Sequence, residues 1–310
     1  MAGEPFSPCS GTTIPANNTA GIFREAMKLP VKNEKLMVQV FFLVLSPFSL
    51  LVLLHYLLAG PLMQKVEDTY ETSTLDPKDT RALIAIEIPF VISFIFVSLF
   101  GISITIYSSA LIYRGKTSSL MELVSWIVSI WKKPVITLIH VLILIIGYIV
   151  VSLISIKLTG LIGSYICNWV LGLVVASIYL YLASVSILGF VISIVEDDCF
   201  GSEAIGKARR IIRGRKIQGS SIVLILTLLS IPIYVMFHVT TTDDDDELGP
   251  VARFAFMFIA TVLFCISNLF NFMVFTVFQF ECKRSHGESL SLETEKIGPG
   301  YVLVSTVTDP

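Results

Sequence analysis

Six long apolar runs, separated by polar connections too short to hold a soluble domain, govern what this chain can fold into. About 20 apolar residues in a helix cross the ~30 Å hydrocarbon core of a bilayer. In lipid only helices and closed barrels satisfy their backbone hydrogen bonds internally. The runs lie at about 37–62, 83–112, 135–156, 169–195, 221–239 and 251–280. Composition agrees, with 54% hydrophobic residues, 15% charged residues and a mean hydropathy of +0.81. Soluble domains carry far more charge. The expected fold class is therefore all-α: a polytopic membrane protein of six transmembrane helices, with amphipathic interfacial helices on the cytoplasmic side.

Three domain segments follow from the pattern. Residues 1–19 are rich in Pro, Ser, Thr, Gly and Asn, read as a disordered tail and lack the apolar core of a cleaved secretory signal. Residues 20–280 form the six-helix transmembrane domain, and 281–310 a polar cytoplasmic tail. The cysteines, Cys9, Cys167, Cys199, Cys265 and Cys282, are scattered without a CxxC or a Cys/His pair at metal-ligand spacing. Neither a zinc site nor a disulfide framework is expected, and no cofactor motif is present.

Three polar segments carry helical periodicity. Between Ala20 and Leu29, the apolar Ile22, Phe23, Ala26 and Leu29 oppose Arg24, Glu25 and Lys28, with Pro30 as the expected end. Beyond Tyr113, the apolar Leu120, Leu123, Val124, Trp126, Ile127, Val128, Ile130 and Trp131 form a wide arc. Glu122, Ser125, Ser129 and Lys132 share the narrow polar one, and Ser119 with Glu122 fits a capping box. The third segment, EDDCFGSEAIGKARRIIRGRKIQG at 196–219, sets Ala204, Ile205, Ala208, Ile211 and Ile212 against Lys207, Arg209, Arg210 and Arg213. Ser202 is its expected N-cap and Gly214 its C-terminal breaker. The order, a short amphipathic helix and then a helical hairpin, recurs three times at about 20–112, 117–195 and 202–280.

Basic residues assign the orientation, because Lys and Arg are retained on the cytoplasmic side. Seventeen of the 22 Lys and Arg lie in the N-terminal segment, the second and fourth connections and the C-terminal tail, and five on the other side, Arg253 at the start of the sixth run among them. Both termini are then cytoplasmic, in the endoplasmic reticulum or the plasma membrane. The acidic run 243–247 faces away from the cytoplasm, and the Asn17-Asn18-Thr19 sequon never meets the glycosylation machinery.

Ionisable and polar groups inside spans are candidates for function. Glu87 lies about one turn inside its span, within reach of water or headgroups. Asn268 and Asn271 share a face of the last span. With Glu87 they are candidate pathway lining, although Asn side chains also join transmembrane helices by hydrogen bonds. His55 and His140 are isolated, and such histidines commonly bond a neighbouring backbone carbonyl or hydroxyl. Pro47, Pro89 and Pro232 free backbone carbonyls where they kink a helix. Residues 243–247 lack the alternating spacing and the Gly of a calcium loop. Glu196, Asp197 and Asp198 resemble a magnesium-diphosphate motif only superficially, since consecutive acids point apart; they sit where the next helix dipole favours them. No nucleophile with a base, phosphate loop or HExxH is present, so no catalytic residue, cofactor site or metal site is assigned. The basic face of the third amphipathic segment, Lys207, Arg209, Arg210, Arg213, Arg215 and Lys216, is the candidate contact for lipids, anionic ones above all, or for cytoplasmic protein partners. Nucleic acid is not an expected partner of a chain with a net charge of −2.

Tyr113, Gly115 and Lys116, then Trp131, Lys132, Lys133 and Thr137, and the pattern Glu196, Asp197, Gly201, Glu203, Ala204, Lys207, Gly214 and Arg215, carry a resemblance. Over about 20–280 the chain resembles a plant family of six-span transmembrane proteins. It is more distantly similar to bacterial integral membrane proteins and to the membrane domain of some glycerophosphodiester phosphodiesterases. Arg213 stands where that pattern has Lys. The resemblance implies an all-helical membrane fold and transfers no catalytic residue, and the phosphodiesterase barrel is absent. The expected function is an integral membrane protein that organises lipids or partner proteins. The alternatives are a small transporter or channel, and a membrane enzyme acting on lipid or isoprenoid substrates through Glu196 to Asp198.

Overall fold

A computed structural model describes residues 18–71, 77–116, 118–162, 165–241 and 250–285. The expected tail 1–19, save its last two residues, the acidic run 243–247 and residues 286–310 lie outside them. Among the described residues the chain is all-α: α1 (Thr19–Lys32), α2 (Glu34–Glu71), α3 (Pro77–Tyr113), α4 (Leu120–Ile130), α5 (Lys132–Ile162), α6 (Tyr165–Val195), α7 (Ser202–Ile211), α8 (Lys216–Thr241) and α9 (Pro250–Ser285). Six stretches are long and apolar enough to cross a membrane: Glu34–Ala59, Arg81–Tyr113, Lys132–Thr159, Tyr165–Val195, Lys216–Val239 and Ala252–Ser285.

Side-chain pairs set these stretches into three antiparallel hairpins. On α2 and α3, Phe48 meets Phe94 at 5.3 Å and His55 meets Glu87 at 2.8 Å. On α5 and α6, the Tyr148 hydroxyl donates to the Val175 carbonyl at 2.9 Å while Val141 packs by Phe190. On α8 and α9, Ser230 and Ser267 lie 3.3 Å apart and Phe237 meets Phe264 edge-on. In each pair of contacts one number rises as the other falls.

The second helices of the hairpins, α3, α6 and α9, pack on one another with their C-terminal ends together. Tyr113 stacks on Phe280 at 4.9 Å, and Gln279 reaches Glu196. Each of the three divides into two halves. The N-terminal halves expose apolar side chains: Ile84 to Phe96 on α3, Tyr165 to Tyr179 on α6 and Phe254 to Ile266 on α9. The C-terminal halves are buried in protein, where Ile104, Ile106, Leu188, Ile192, Phe275, Phe278 and Phe280 are each under 2% exposed. The 33-residue stretch on α3 measures about 50 Å at 1.5 Å per residue, well beyond the ~30 Å of a hydrocarbon core.

The short helices close this end. Each lies on the second helix of a hairpin: α4 on α3, α7 on α6, and α1 on α9, which completes the ring. Trp126 of α4 stacks on Tyr107 at 3.7 Å, and Phe23 of α1 meets Phe270 at 5.9 Å. α1 buries Ile22, Ala26 and Leu29, α4 buries Leu123 and Ile127, and α7 buries Ala204, Ala208 and Ile211. Each large apolar side chain withdrawn from water contributes about 1.5–3 kcal/mol. The threefold order of short helix and hairpin is thus present in space as well as in sequence.

Local chemistry explains the joints. Ser119 and Glu122 form the capping box, the serine hydroxyl accepting from the Glu122 amide and the carboxylate from the Ser119 amide. α3 ends in a Schellman motif: Gly115 has φ +71°, its amide donates to the Ile112 carbonyl, and the Lys116 amide donates to that of Leu111. Two expected boundaries move. α1 continues past Pro30 to Lys32, because Leu29 is fully buried and packing holds it helical. The break comes at Asn33, whose Oδ1 accepts from the Leu36 amide. Ser202 is the first residue of α7 rather than its cap, and Gly201 holds the cap position at φ +62°. The 3₁₀ turn Ile212–Gly214 closes α7, in keeping with Gly214 as a breaker.

Gly201 has no substitute in this backbone. A Cβ there would lie 3.1 Å from Ile136 and 3.2 Å from His140, on a dihedral that other residues rarely adopt. Gly201→Ala is expected to lower stability by about 1–3 kcal/mol, read as a lower melting temperature of the detergent-solubilised protein. Gly206→Ala, with open space around the new methyl, is the control that leaves the melt in place.

Candidate functional site

The ends of α3, α6 and α9 converge on a buried polar cluster. Glu196, the residue following α6, is 7% exposed, and its carboxylate takes two ammonium groups: Lys207 Nζ from α7 at 2.6 Å and Lys283 Nζ from α9 at 2.8 Å. The Gln279 amide adds a longer contact at 3.4 Å. Burial strengthens such pairs, because little water screens them. Beside it, the Tyr113 hydroxyl donates to Glu281 at 3.1 Å, and the Arg114 guanidinium lies over the Phe280 ring. Glu25 of α1, 8% exposed, pairs with Lys28.

The linker from α6 to α7 is anchored twice to α5. Lys133 donates to the Asp197 carbonyl at 2.6 Å, with the Asp197 carboxylate at 3.5 Å. The Gly201 amide donates to the Thr137 hydroxyl at 2.9 Å, and Thr137 in turn donates to the Lys133 carbonyl. Tyr113, Gly115, Lys133, Thr137, Glu196, Asp197, Gly201, Ala204 and Lys207 therefore belong to one framework.

The basic residues of 207–216 divide. Lys207 turns inward onto Glu196. Arg210 points outward. Arg215 is half-buried, and its Nη1 has no hydrogen-bond partner. Arg209, Arg213 and Lys216 line a cavity of about 210 Å³ together with Tyr181, whose ring lies 5.8 Å from the Lys216 ammonium.

The acidic triplet does not form a shared site. Glu196 points into the bundle, Asp197 contacts Lys133 and Asp198 faces outward. Burial and the neighbouring Glu196 carboxylate push the Cys199 thiol up, which disfavours a reactive thiolate.

The candidate pathway residues lie apart. Asn268 donates to its own helix at the Phe264 carbonyl and lines a cavity of about 240 Å³ between α2, α3 and α9, with Phe48, Phe94 and Thr105. Asn271 is absent from that lining, and its buried Oδ1 has no partner. Glu87 bonds His55, which also stacks on Phe90 at 3.8 Å. His140 bonds its helix carbonyl at Ile136.

Sequence reasoning missed Gln279, at the end of the sixth expected run, and Glu281 and Lys283, assigned to the tail; the last helix continues through them to Ser285. Gln279 and Lys283, four apart and so on one helical face, were the available signal. It also missed the His55–Glu87 pair, which the matched depth of the two residues in a hairpin implies.

The family described as a domain of unknown function, DUF8558, matches residues 16–294, nearly the whole chain. The chain belongs to this family. No curated protein and no solved structure matches it. In this DUF8558 chain the matched region takes in all three hairpins, the short helices and the Glu196 cluster.

Removing one partner of a buried ion pair leaves the other charge uncompensated, which costs about 3–5 kcal/mol. Glu196→Ala strands two ammonium groups and is expected to destabilise most. Lys283→Met, with a side chain 6% exposed in the native protein, follows, and Lys207→Met, 27% exposed, costs least. Melting temperatures that fall in that order, with strong non-additivity in the Glu196/Lys283 double-mutant cycle, are the expected result.

Proposed function

We propose that this protein is a non-catalytic membrane organiser that gathers anionic lipids, and partner proteins with them, at its basic end. One observation carries the reading: the basic residues are displayed around an end whose interior is packed with phenylalanines and tied together by Glu196, so the charges sit on a rigid platform. Each Lys or Arg near an anionic surface contributes about 1 kcal/mol of attraction.

The proposed orientation puts this end and both termini in the cytoplasm. The distribution of Lys and Arg supports it, as does the packing of α1 against α9, which brings the first and last described helices to one end. The outer faces of α1 and α4 expose Met27, Val31, Met121, Val128 and Trp131 beside basic residues, which suits helices lying in the lipid interface. A plant endomembrane or plasma membrane is the proposed setting, on the strength of the sequence resemblance.

A second reading, a small transporter or channel, has the cavity at Asn268 in its favour. The fully buried Ile106, Leu188, Phe275 and Phe278, packed between the polar groups of that end, weigh against a continuous polar path through it.

The test uses spin-labelled lipids on the full-length protein in phosphatidylcholine vesicles. Labelled phosphatidylserine is expected to associate more strongly than labelled phosphatidylcholine, less so at high salt. A variant with Arg24, Lys116, Lys132, Arg209, Arg210 and Arg213 all changed to Gln should lose the preference. Equal association of both lipids with the unaltered protein would refute the reading.

A further inference from the structure

Tyr181 marks the level on α6 where exposure changes. Just before it, Ile178 and Tyr179 are each 48% exposed apolar residues; just after it, from Ser184 on, the helix is buried in protein. α7 descends along α6 from the Glu196 cluster. A Cβ on Gly189 would sit 3.3 Å from Ile205, and one on Gly219 would sit 2.6 Å from Ile212 and 3.4 Å from Ser184. This close approach brings the start of α8 down to the same level. There Lys216 is followed at once by Ile217, 84% exposed, and then by the exposed Leu224 and Ile225. The cavity of about 210 Å³ lined by Tyr181, Arg209, Arg213 and Lys216 therefore opens where the apolar outer surface begins.

Three cations share that cavity. Arg209 and Arg213 are four residues apart on one helical face, where like charges repel. Neither has an ion-pair partner among the described residues, and Lys216 meets the Tyr181 ring rather than a carboxylate. Such an arrangement is completed by a multivalent anion. Guanidinium forks pair bidentately with phosphate oxygens, and a phosphomonoester carries close to two negative charges near neutral pH. Basic pockets between transmembrane helices at the cytoplasmic level take lipid headgroups.

We propose that the pocket of Tyr181, Arg209, Arg213 and Lys216 binds the phosphomonoester headgroup of an anionic lipid, whose chains run down the apolar faces of α6 and α8. The pocket deepens the organiser reading, on which it rests, by giving one headgroup class a stereochemical site.

Phosphatidic acid is the probe, with full-length protein in phosphatidylcholine nanodiscs and spin-labelled lipids as the readout. The unaltered protein is expected to prefer phosphatidic acid over phosphatidylserine. Arg209→Gln with Arg213→Gln should weaken phosphatidic acid association roughly tenfold or more, as expected for lost hydrogen bonds to a charged group. Lys32→Gln with Lys35→Gln removes the same charge from exposed positions outside the pocket and should leave the preference in place. Arg209→Lys with Arg213→Lys keeps the charge and should recover only part of it, since the fork is gone. Melting temperatures of all three double variants without anionic lipid establish that they are folded.

Equal weakening by both neutralising pairs would overturn the pocket and leave the organiser reading standing. No preference of the unaltered protein for either anionic lipid over phosphatidylcholine would overturn both. Displacement of phosphatidic acid by inorganic phosphate at matched concentration would assign the site to the free anion and overturn the lipid headgroup.

Discussion

A single buried carboxylate fixes how the helices meet at the basic end of the molecule. Glu196 receives ammonium groups from two helices that are far apart in sequence, α7 and α9, while its own backbone terminates α6. A buried charge of this kind is costly unless it is paired and hydrogen-bonded. Lys207, Lys283 and Gln279 satisfy that need together, and none does so alone. The cluster is specific for one arrangement of the three hairpins: sliding α9 by a turn would move Lys283 about 5.4 Å along the axis and leave Glu196 short of a counterion. Around it, apolar packing supplies most of the cohesion, with Phe275, Phe278 and Phe280 of α9 at the centre.

The energetics of the two halves of the molecule differ for a physical reason. Where helices face lipid, apolar side chains gain little by meeting one another, since hydrocarbon is as apolar as leucine, and packing with local hydrogen bonds must suffice. The hydroxyls of Ser155 and Ser177 fold back onto carbonyls of their own helices, at Val151 and Leu173. The C-terminal halves of α3, α6 and α9 are instead buried in protein, and the short helices α1, α4 and α7 supply the covering surface. Long second helices and short covering helices are therefore two sides of one design. A hairpin with an overlong second helix needs a cap.

Much of this architecture was legible in the sequence. The six apolar runs, the helical wheels of the short segments, the capping box at Ser119 and the recurrence of short helix and hairpin all follow from local periodicity, and local periodicity survives folding. The candidate site was legible only in part. Lys207 read as one of a row of cations on a polar face, yet its ammonium turns inward, because the acid it meets lies eleven residues earlier across a linker whose path periodicity does not give. Lys283 read as tail. Nothing in the sequence singles out Tyr181 within its span, and its place at the rim of the basic pocket depends on how far α7 descends along α6, a distance set by Gly189 and Gly219. Glycines that permit close approach are visible in a sequence, but their partners are not.

The division of the second helices can be measured through native tryptophans in single-tryptophan variants of the full-length protein, using quenching by lipids brominated along their acyl chains. Trp169 lies on the exposed apolar half of α6 at 68% exposure, whereas Trp126 sits on α4, stacked on Tyr107 in the protein-covered half of α3. If the C-terminal halves of α3, α6 and α9 form a packed unit beyond the hydrocarbon layer, Trp169 is quenched strongly and Trp126 is not. Equal quenching of the two would place the covered half within the bilayer and contradict the structure of the basic end as described.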